Sequence, residues 1–231
     1  MVATASIMLN TLHCISQSDG DGKGSEPYIW PFLAGTARRP FSFTATPLAA
    51  SIAESKKLIA SEMRAGQSVD LDGPFNQLGL GFTEDQTDQQ LILIVALLES
   101  DGTASFPIAK GYRTFVRILN ERLSTRLSDI LAASQTEQAA IIAELRAEAV
   151  KEVMDVVKAN MSTSDKLFRR DDFLAFAFRV FKAPLPEGNS GFTLRLKAPG
   201  DEFTLDGTLS FFKSGTHGPV GGGSKQPVLS P

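Results

Sequence analysis

The chain has 231 residues, of which 42% are hydrophobic and 21% are charged, and this composition is typical of a globular protein with a sizeable core. Its formal net charge of -3 gives no general attraction for nucleic acid or for an anionic membrane surface, so we expect no nucleic-acid partner. The aromatic residues are mostly Phe, 16 against two Tyr and one Trp, which indicates core packing rather than a stacking surface.

The N-terminal part of the chain carries the pattern of β-strands. Residues 6–15 and 27–33 are rich in β-branched, aromatic and aliphatic side chains, and a glycine-rich loop separates them. Residues 41–45 alternate between apolar and polar side chains, which predicts a third strand with one face in water.

The sequence shows neither a signal peptide nor a membrane-spanning segment. Its start lacks the basic residues, apolar stretch and small-residue cleavage site of an export signal. The longest unbroken apolar run, residues 91–98, is much shorter than the roughly 20 residues that a spanning helix needs. We therefore expect a protein that is cytoplasmic or secreted by a non-classical route.

The middle of the chain is predicted to be helical. Thr46 and Pro47 form a typical helix opening, and apolar residues then recur on one face up to Met63, with Gly66 ending the helix. Residues 69–71 are predicted to be a short strand within a loop.

The apolar run at residues 91–98 follows a capping-box pattern formed by Thr87 and Gln90. A run that is apolar on every side must be buried. We predict a buried helix here, and the β-branched content leaves a strand as the alternative.

Two longer amphipathic helices follow. Apolar residues recur at three- and four-residue steps over residues 112–131 and again over residues 141–157. Ser134 and Glu137 form a capping box between the two segments, so the connection is short and the helices are predicted to form an antiparallel hairpin.

The pattern returns to strands at residues 173–181, 192–196 and 203–212, which proline- and glycine-rich turns separate. These elements predict an α+β fold, an antiparallel β-sandwich formed by N- and C-terminal strands with an inserted helical hairpin. We expect one sandwich domain over residues 1–214, with the helical insertion at about residues 47–160. Residues 215–231 are predicted to be a flexible tail.

The most distinctive motif is the acidic, glycine-rich loop of residues 18–26. Asp19 and Asp21 fit the first and third positions of an EF-hand loop, but Lys23 stands at the fifth position and Trp30 at the twelfth, where oxygen ligands are needed. An EF-hand is therefore excluded. The remaining alternative is a calcium site to which several loops at one end of a sandwich contribute carboxylates.

The order of residues around this loop also resembles the opening of bacterial C2-like β-sandwich domains. In these domains a strand ending in Cys, here Cys14, precedes an acidic glycine loop and a Glu-Pro/Ala-Tyr strand, here beginning at Glu26. The resemblance covers about the first thirty residues and extends to Asp171 and Asp172. It implies a calcium-assisted sandwich.

The resemblance implies that Asp19, Asp21 and Glu26 are calcium ligands. Asp171 and Asp172 precede the first C-terminal strand, and in a closed sandwich we expect them beside the N-terminal loop. Crowded carboxylates repel one another, and a dication relieves that repulsion. The alternative is that the loop is an ordinary solvated turn, because Asp and Gly are preferred turn residues.

Few residues are available for catalysis. The chain has two histidines, His13 in a predicted strand and His217 in the tail, so neither a zinc site nor a histidine-based triad is indicated. Cys14 is the single cysteine and is expected to be a buried hydrophobe on a strand.

The sequence therefore predicts a non-enzymatic binding or interaction protein that acts on a protein or lipid partner, with Ca²⁺ as its cofactor. An alternative is a bacterial toxin-like component whose helical hairpin inserts into membranes, based on residues 91–98 beside the amphipathic helices. A hydrolase whose catalytic residue is not recognisable from the sequence is a third hypothesis.

Overall fold

The computed structural model describes residues 2–17, 24–36, 43–45, 58–72, 76–83, 90–100, 105–161 and 172–213. Its elements are, in chain order, β1 (Val2–Ser16), β2 (Pro27–Thr36), β3 (Phe43–Ala45), β4 (Ser68–Asp70), β5 (Gln77–Thr83), β6 (Gln90–Glu99), α1 (Ser105–Ala132), α2 (Gln135–Asn160), β7 (Asp172–Phe181), β8 (Gly188–Ala198) and β9 (Asp201–Lys213).

The first sheet, which we call sheet 1, has the strand order β4-β1-β9-β8, and β5 also pairs with β1. All of its pairings are antiparallel. Along its strands, buried and outward-facing side chains alternate. Ile7 and Leu9 of β1 and Leu205 and Leu209 of β9 are buried, while their polar neighbours point outwards. Sheet 1 thus has one face in the core and one in water.

The second sheet, sheet 2, has the order β3-β2-β6-β7 and is also antiparallel. Residues 91–98 of β6 are all buried, which requires cover on both faces. On one face Trp30 of β2 contacts Tyr112 and Phe115 of α1, with ring centroids 5.6 and 5.7 Å apart. The other face packs towards sheet 1 in the same hydrophobic core.

The predicted α+β sandwich with an inserted helical hairpin is confirmed. Ser134 and Glu137 form the capping box at the start of α2, with a backbone N–H of each residue bonded to the side chain of the other. Arg117 of α1 pairs with Glu152 of α2. Further along α1, Arg126 pairs with Glu144, an earlier residue of α2, so the two helices are antiparallel.

Two helix predictions are wrong. Residues 91–98 lie in strand β6, the neighbour of both β2 and β7. Residues 58–66, the last part of the helix predicted to run from Thr46 to Gly66, are not helical, and Met63 instead forms an isolated bridge with Ser25. The first part of that predicted helix lies outside the described residues.

The segment of residues 47–160 is therefore not wholly helical, because β4, β5 and β6 lie within it. The division into a domain of residues 1–214 and a tail of residues 215–231 stays a prediction, since the tail lies outside the described residues. No helix in the described part of the chain is long and apolar enough to cross a bilayer.

Candidate functional site

A groove of about 680 Å³ lies along one edge of the sandwich. In the described part of the chain, β7 is the last strand of sheet 2 and β8 is an outer strand of sheet 1. The groove runs between them and reaches the N-terminal part of α2. It is lined by residues 176–180 of β7, by Lys182, by residues 193–195 of β8, and by Gln138 and Ala139 of α2.

Three cations line this groove, Arg179, Lys182 and Arg195, and all three are exposed. The described lining contains neither Asp nor Glu. The Nε of Arg195 lies 2.7 Å from a carboxylate oxygen of Glu202, which offsets part of its charge. The groove therefore presents a positive rim, to which Arg179 and Lys182 contribute most.

Arg179 bridges the two strands that bound the groove. Its guanidinium carbon lies 5.4 Å from the ring centroid of Phe181 and 5.6 Å from that of Phe192, so the cation is held against two aromatic rings. Its Nη1 also donates a hydrogen bond of 3.4 Å to the carbonyl oxygen of Thr193 on β8. These contacts fix the position of the charge beside the groove.

The wall that β7 contributes to the groove is partly apolar. Phe176, Phe178 and Val180 are half-buried, and the ring of Phe176 packs edge-on against that of Phe115 in α1, 6.3 Å away. Fixed cations beside a partly exposed aromatic surface can hold a ligand that has negative charge and an apolar portion.

The predicted metal ligands are only partly within the described residues. Asp19, Asp21 and Asp171 lie outside them, and Asp172 is described through its backbone alone. Glu26 is described and directly precedes β2.

The register of sheet 2 brings two of the predicted ligands to one end of the sheet. Pro27 of β2 is opposite Glu99 of β6, and Glu99 is opposite Asp172 of β7. Asp172 is therefore two strands, or about 10 Å, from the residue that follows Glu26. Among the described residues, however, no three His, Cys, Asp or Glu side chains form a group that could hold a metal ion.

The C-terminal end of the acidic loop is fixed against another segment of the chain. Ser25 and Met63 exchange two backbone hydrogen bonds of 2.9 and 2.7 Å. The Gly24 N–H donates to Glu62 Oε1 over 3.3 Å, and Arg64 donates to the same carboxylate. The bond from Arg64, with a smaller contribution from Gly24, lowers the pKa of Glu62 below its usual value.

A chain of four polar side chains crosses all the strands in the order β4-β1-β9-β8 on the outer face of sheet 1. His13 Nδ1 lies 2.7 Å from Ser68 Oγ, and His13 Nε2 lies 2.9 Å from Asp206 Oδ2. Thr193 Oγ1 donates to the other oxygen of Asp206 over 2.5 Å. The Thr193 bond, followed by the His13 bond, lowers the pKa of Asp206.

This polar chain contains the residue types of a hydrolytic triad but not its arrangement. In such triads the carboxylate orients Nδ1 and the nucleophile faces Nε2, whereas Ser68 and Asp206 occupy the opposite positions around His13. The group also lies on the open face of a sheet. The group therefore acts as a set of cross-strand hydrogen bonds. From the sequence only His13 could be singled out, because its partners Ser68 and Asp206 are recognisable only once the strand order is known.

Similarity to known proteins adds little to what the geometry shows. No protein-family model matches the sequence, and no curated protein matches it. Among solved structures, the chain is similar to a C2 domain of plant extended synaptotagmin 1, with 8% identity and a TM-score of 0.33 over 90% of this chain and 93% of that chain. Because that TM-score is low, the sandwich architecture rests on the strand order and register described above.

Proposed function

We propose that the protein is a non-enzymatic binding protein and that the groove between β7 and β8 holds an anionic partner, a protein segment or a lipid. The observation that carries this proposal is the combination of Arg179 and Lys182 with the half-buried Phe176 and Phe178 in one groove. The cations supply attraction for negative charge, and the aromatic surface supplies apolar contact.

Reversing one charge in the groove tests this proposal. The probes are a labelled acidic peptide and phosphatidylcholine vesicles with or without phosphatidylserine. We expect Lys182→Glu to weaken the binding of whichever anionic probe the wild-type protein binds by about tenfold. Added salt should weaken this binding further, because the attraction is electrostatic. Lys182 is exposed, so its replacement should leave the fold intact.

The matched control is Lys151→Glu, an exposed cation on α2. It lies 13 positions from Gln138, or about 20 Å along the helix, and should not change binding. If the wild-type protein binds neither anionic probe, or if both variants bind as the wild type does, the proposed groove is not a binding site.

We also propose that Ca²⁺ binds at the end of sheet 2, with Asp19, Asp21, Glu26, Asp171 and Asp172 as its ligands. The support is the register that brings Asp172 and Glu26 to the same end of the sheet, together with the preference of Ca²⁺ for carboxylate oxygens. Bound there, the ion would offset the repulsion between these carboxylates.

Isothermal titration with Ca²⁺ tests the metal proposal. We expect saturable heat for the wild-type protein and its loss in the double variant Asp19→Ala/Asp21→Ala. Asp155→Ala, an exposed carboxylate on α2, is the matched control and should titrate as the wild type does. Absence of saturable heat in the wild type would contradict the proposal.

The alternative of a membrane-inserting toxin loses the observation that motivated it. Residues 91–98 are not a free apolar helix but the strand β6, which is paired on both sides and buried. The helical hairpin in turn uses Tyr112 and Phe115 to cover sheet 2. We therefore retain the binding function alone.

A further inference from the structure

We infer that the occupant of the groove is an extended, acidic segment of a partner protein, which pairs with β7 as an added strand. This inference rests on the proposed binding function and specifies its ligand. Four features of the described residues lead to it: the edge of β7 on which no ladder forms, the run of residues that lines the groove, the charge of the groove and its recessed shape.

The first feature is the position of β7 at the end of a sheet. It pairs with β6 along its length, from Asp172 opposite Glu99 to Phe181 opposite Leu91. Within the described residues no ladder forms on its other side, although β8 lies nearby. The backbone N–H and C=O groups on such an edge form a template for another strand.

The second feature is that the β7 residues lining the groove are consecutive, from 176 to 180. Successive side chains of a strand point to opposite faces, so a groove above one face would be lined by every second residue. A lining of consecutive residues means that the groove follows the edge of the strand. Five residues of a strand extend about 17 Å, which sets the length of the paired segment.

The third feature is the sign of the charge along this edge. Arg179, Lys182 and Arg195 line the groove, and the described lining has no acidic side chain. A second copy of this chain would bring the same cations against them, which disfavours edge-to-edge pairing between copies. An acidic segment has the complementary charge, so the edge selects a different chain over its own.

The fourth feature is that the edge is recessed. The groove is bounded by β8 on one side and by Gln138 and Ala139 of α2 on the other. A flat membrane surface makes its contacts outside such a recess, whereas an extended peptide fits inside it. A peptide also offers donors and acceptors at the spacing of the β7 backbone, which lipid headgroups do not.

Three short labelled peptides test the inference with the intact protein. The first alternates Glu and Val, the second alternates Lys and Val, and the third is the Glu peptide with every backbone nitrogen methylated. The methylated peptide keeps its charge and side chains but has no N–H to donate to β7. We expect the Glu peptide to bind, and the Lys and methylated peptides to bind at least about tenfold more weakly.

Hydrogen exchange gives a second measurement. Binding of the Glu peptide should slow the exchange of those backbone amides at residues 176–180 that point away from β6, because the alternate amides are already bonded to β6. Lys182→Glu should weaken binding of this peptide about tenfold, and Lys151→Glu should not.

The outcomes separate this inference from the proposed function. Equal binding of the methylated and unmethylated Glu peptides would overturn strand addition and leave an anion-binding groove. Binding of phosphatidylserine vesicles that depends on Lys182, without binding of the Glu peptide, would replace the peptide with a lipid. If neither the peptide nor the vesicles bind, both the inference and the proposed function fail.

Discussion

Gly24 lies where the acidic loop meets the segment that contains Glu62 and Met63. A Cβ at this position would lie 2.7 Å from the backbone nitrogen of Met63 and 2.9 Å from its oxygen, and both atoms belong to the bridge with Ser25. We expect Gly24→Ala to lower the free energy of unfolding by about 1–3 kcal/mol, because the backbone must move apart.

Gly81→Ala is the matched control for this variant, since a Cβ on Gly81 meets no atom within 4 Å. It should be neutral or slightly stabilising, as alanine reduces the entropy of the unfolded chain. Urea denaturation of both variants measures the difference. Equal stability of the two variants would show that the contact at Gly24 is not restrictive.

We expect Asp206 to make the stability of the protein depend on pH. Its pKa in the folded state is lowered by Thr193 first and His13 second, so its stabilising contribution is present above the unfolded pKa of about 3.9. That contribution is lost as the pH falls through the folded pKa. Because the Asp206 side chain is 44% exposed, solvent screening limits the effect to about 1 kcal/mol or less.

We therefore expect Asp206→Asn to be less stable than the wild type at neutral pH, and the difference to shrink below about pH 4. Thr193→Val should show part of the same loss. Thr4→Val, on the same outer face but outside the polar chain, is its control. Denaturation curves across this pH range measure the effect, and a difference that grows towards low pH would contradict the assignment.

At the scale of the elements, the helical hairpin is attached to sheet 2 through Trp30. This fully buried ring contacts Tyr112 and Phe115 of α1, and Gly111 gives it room. A Cβ on Gly111 would lie 3.3 Å from Trp30 and 2.7 Å from Val157 of α2. The missing side chain at Gly111 thus lets α1 approach both sheet 2 and α2.

Gly111→Leu should force α1 away from α2 and sheet 2, at a cost of about 1–3 kcal/mol. Trp30 is the only Trp in the chain, so its fluorescence reports on this contact directly. We expect acrylamide to quench Trp30 more strongly in Gly111→Leu than in the wild type. Arg113→Leu, on an exposed position of the same helix, should leave quenching unchanged.

The ease of predicting an element from the sequence depended on how many of its faces are buried. β8 and β9 alternate between buried and more exposed residues, so their pattern was recognisable. β6 is buried on both faces because the hairpin covers sheet 2, and its uniform apolar run has no period of two. The hairpin itself was predictable from its helical period and from the capping box at Ser134.

At the scale of the whole molecule, the sequence pointed to single motifs but not to the groove. Arg179 and Lys182 are three positions apart and Arg195 follows 13 positions later, but that they line one groove depends on which strands end the two sheets. The same holds for Ser68, which reaches His13 only through the pairing of β4 with β1. Strand order is a long-range property, and a local pattern carries no information about it.

The pairing of β1 with β9 has a consequence for synthesis on the ribosome. Ala5 lies opposite Phe211, so these two partners are on the order of 200 residues apart along the chain. At a synthesis rate of about 5–20 residues per second, β9 leaves the ribosome roughly 10–40 s after β1. During that interval the edge of β1 that pairs with β9 has no partner and can pair with other nascent chains. We expect a chaperone that shields this edge to raise the yield of native protein.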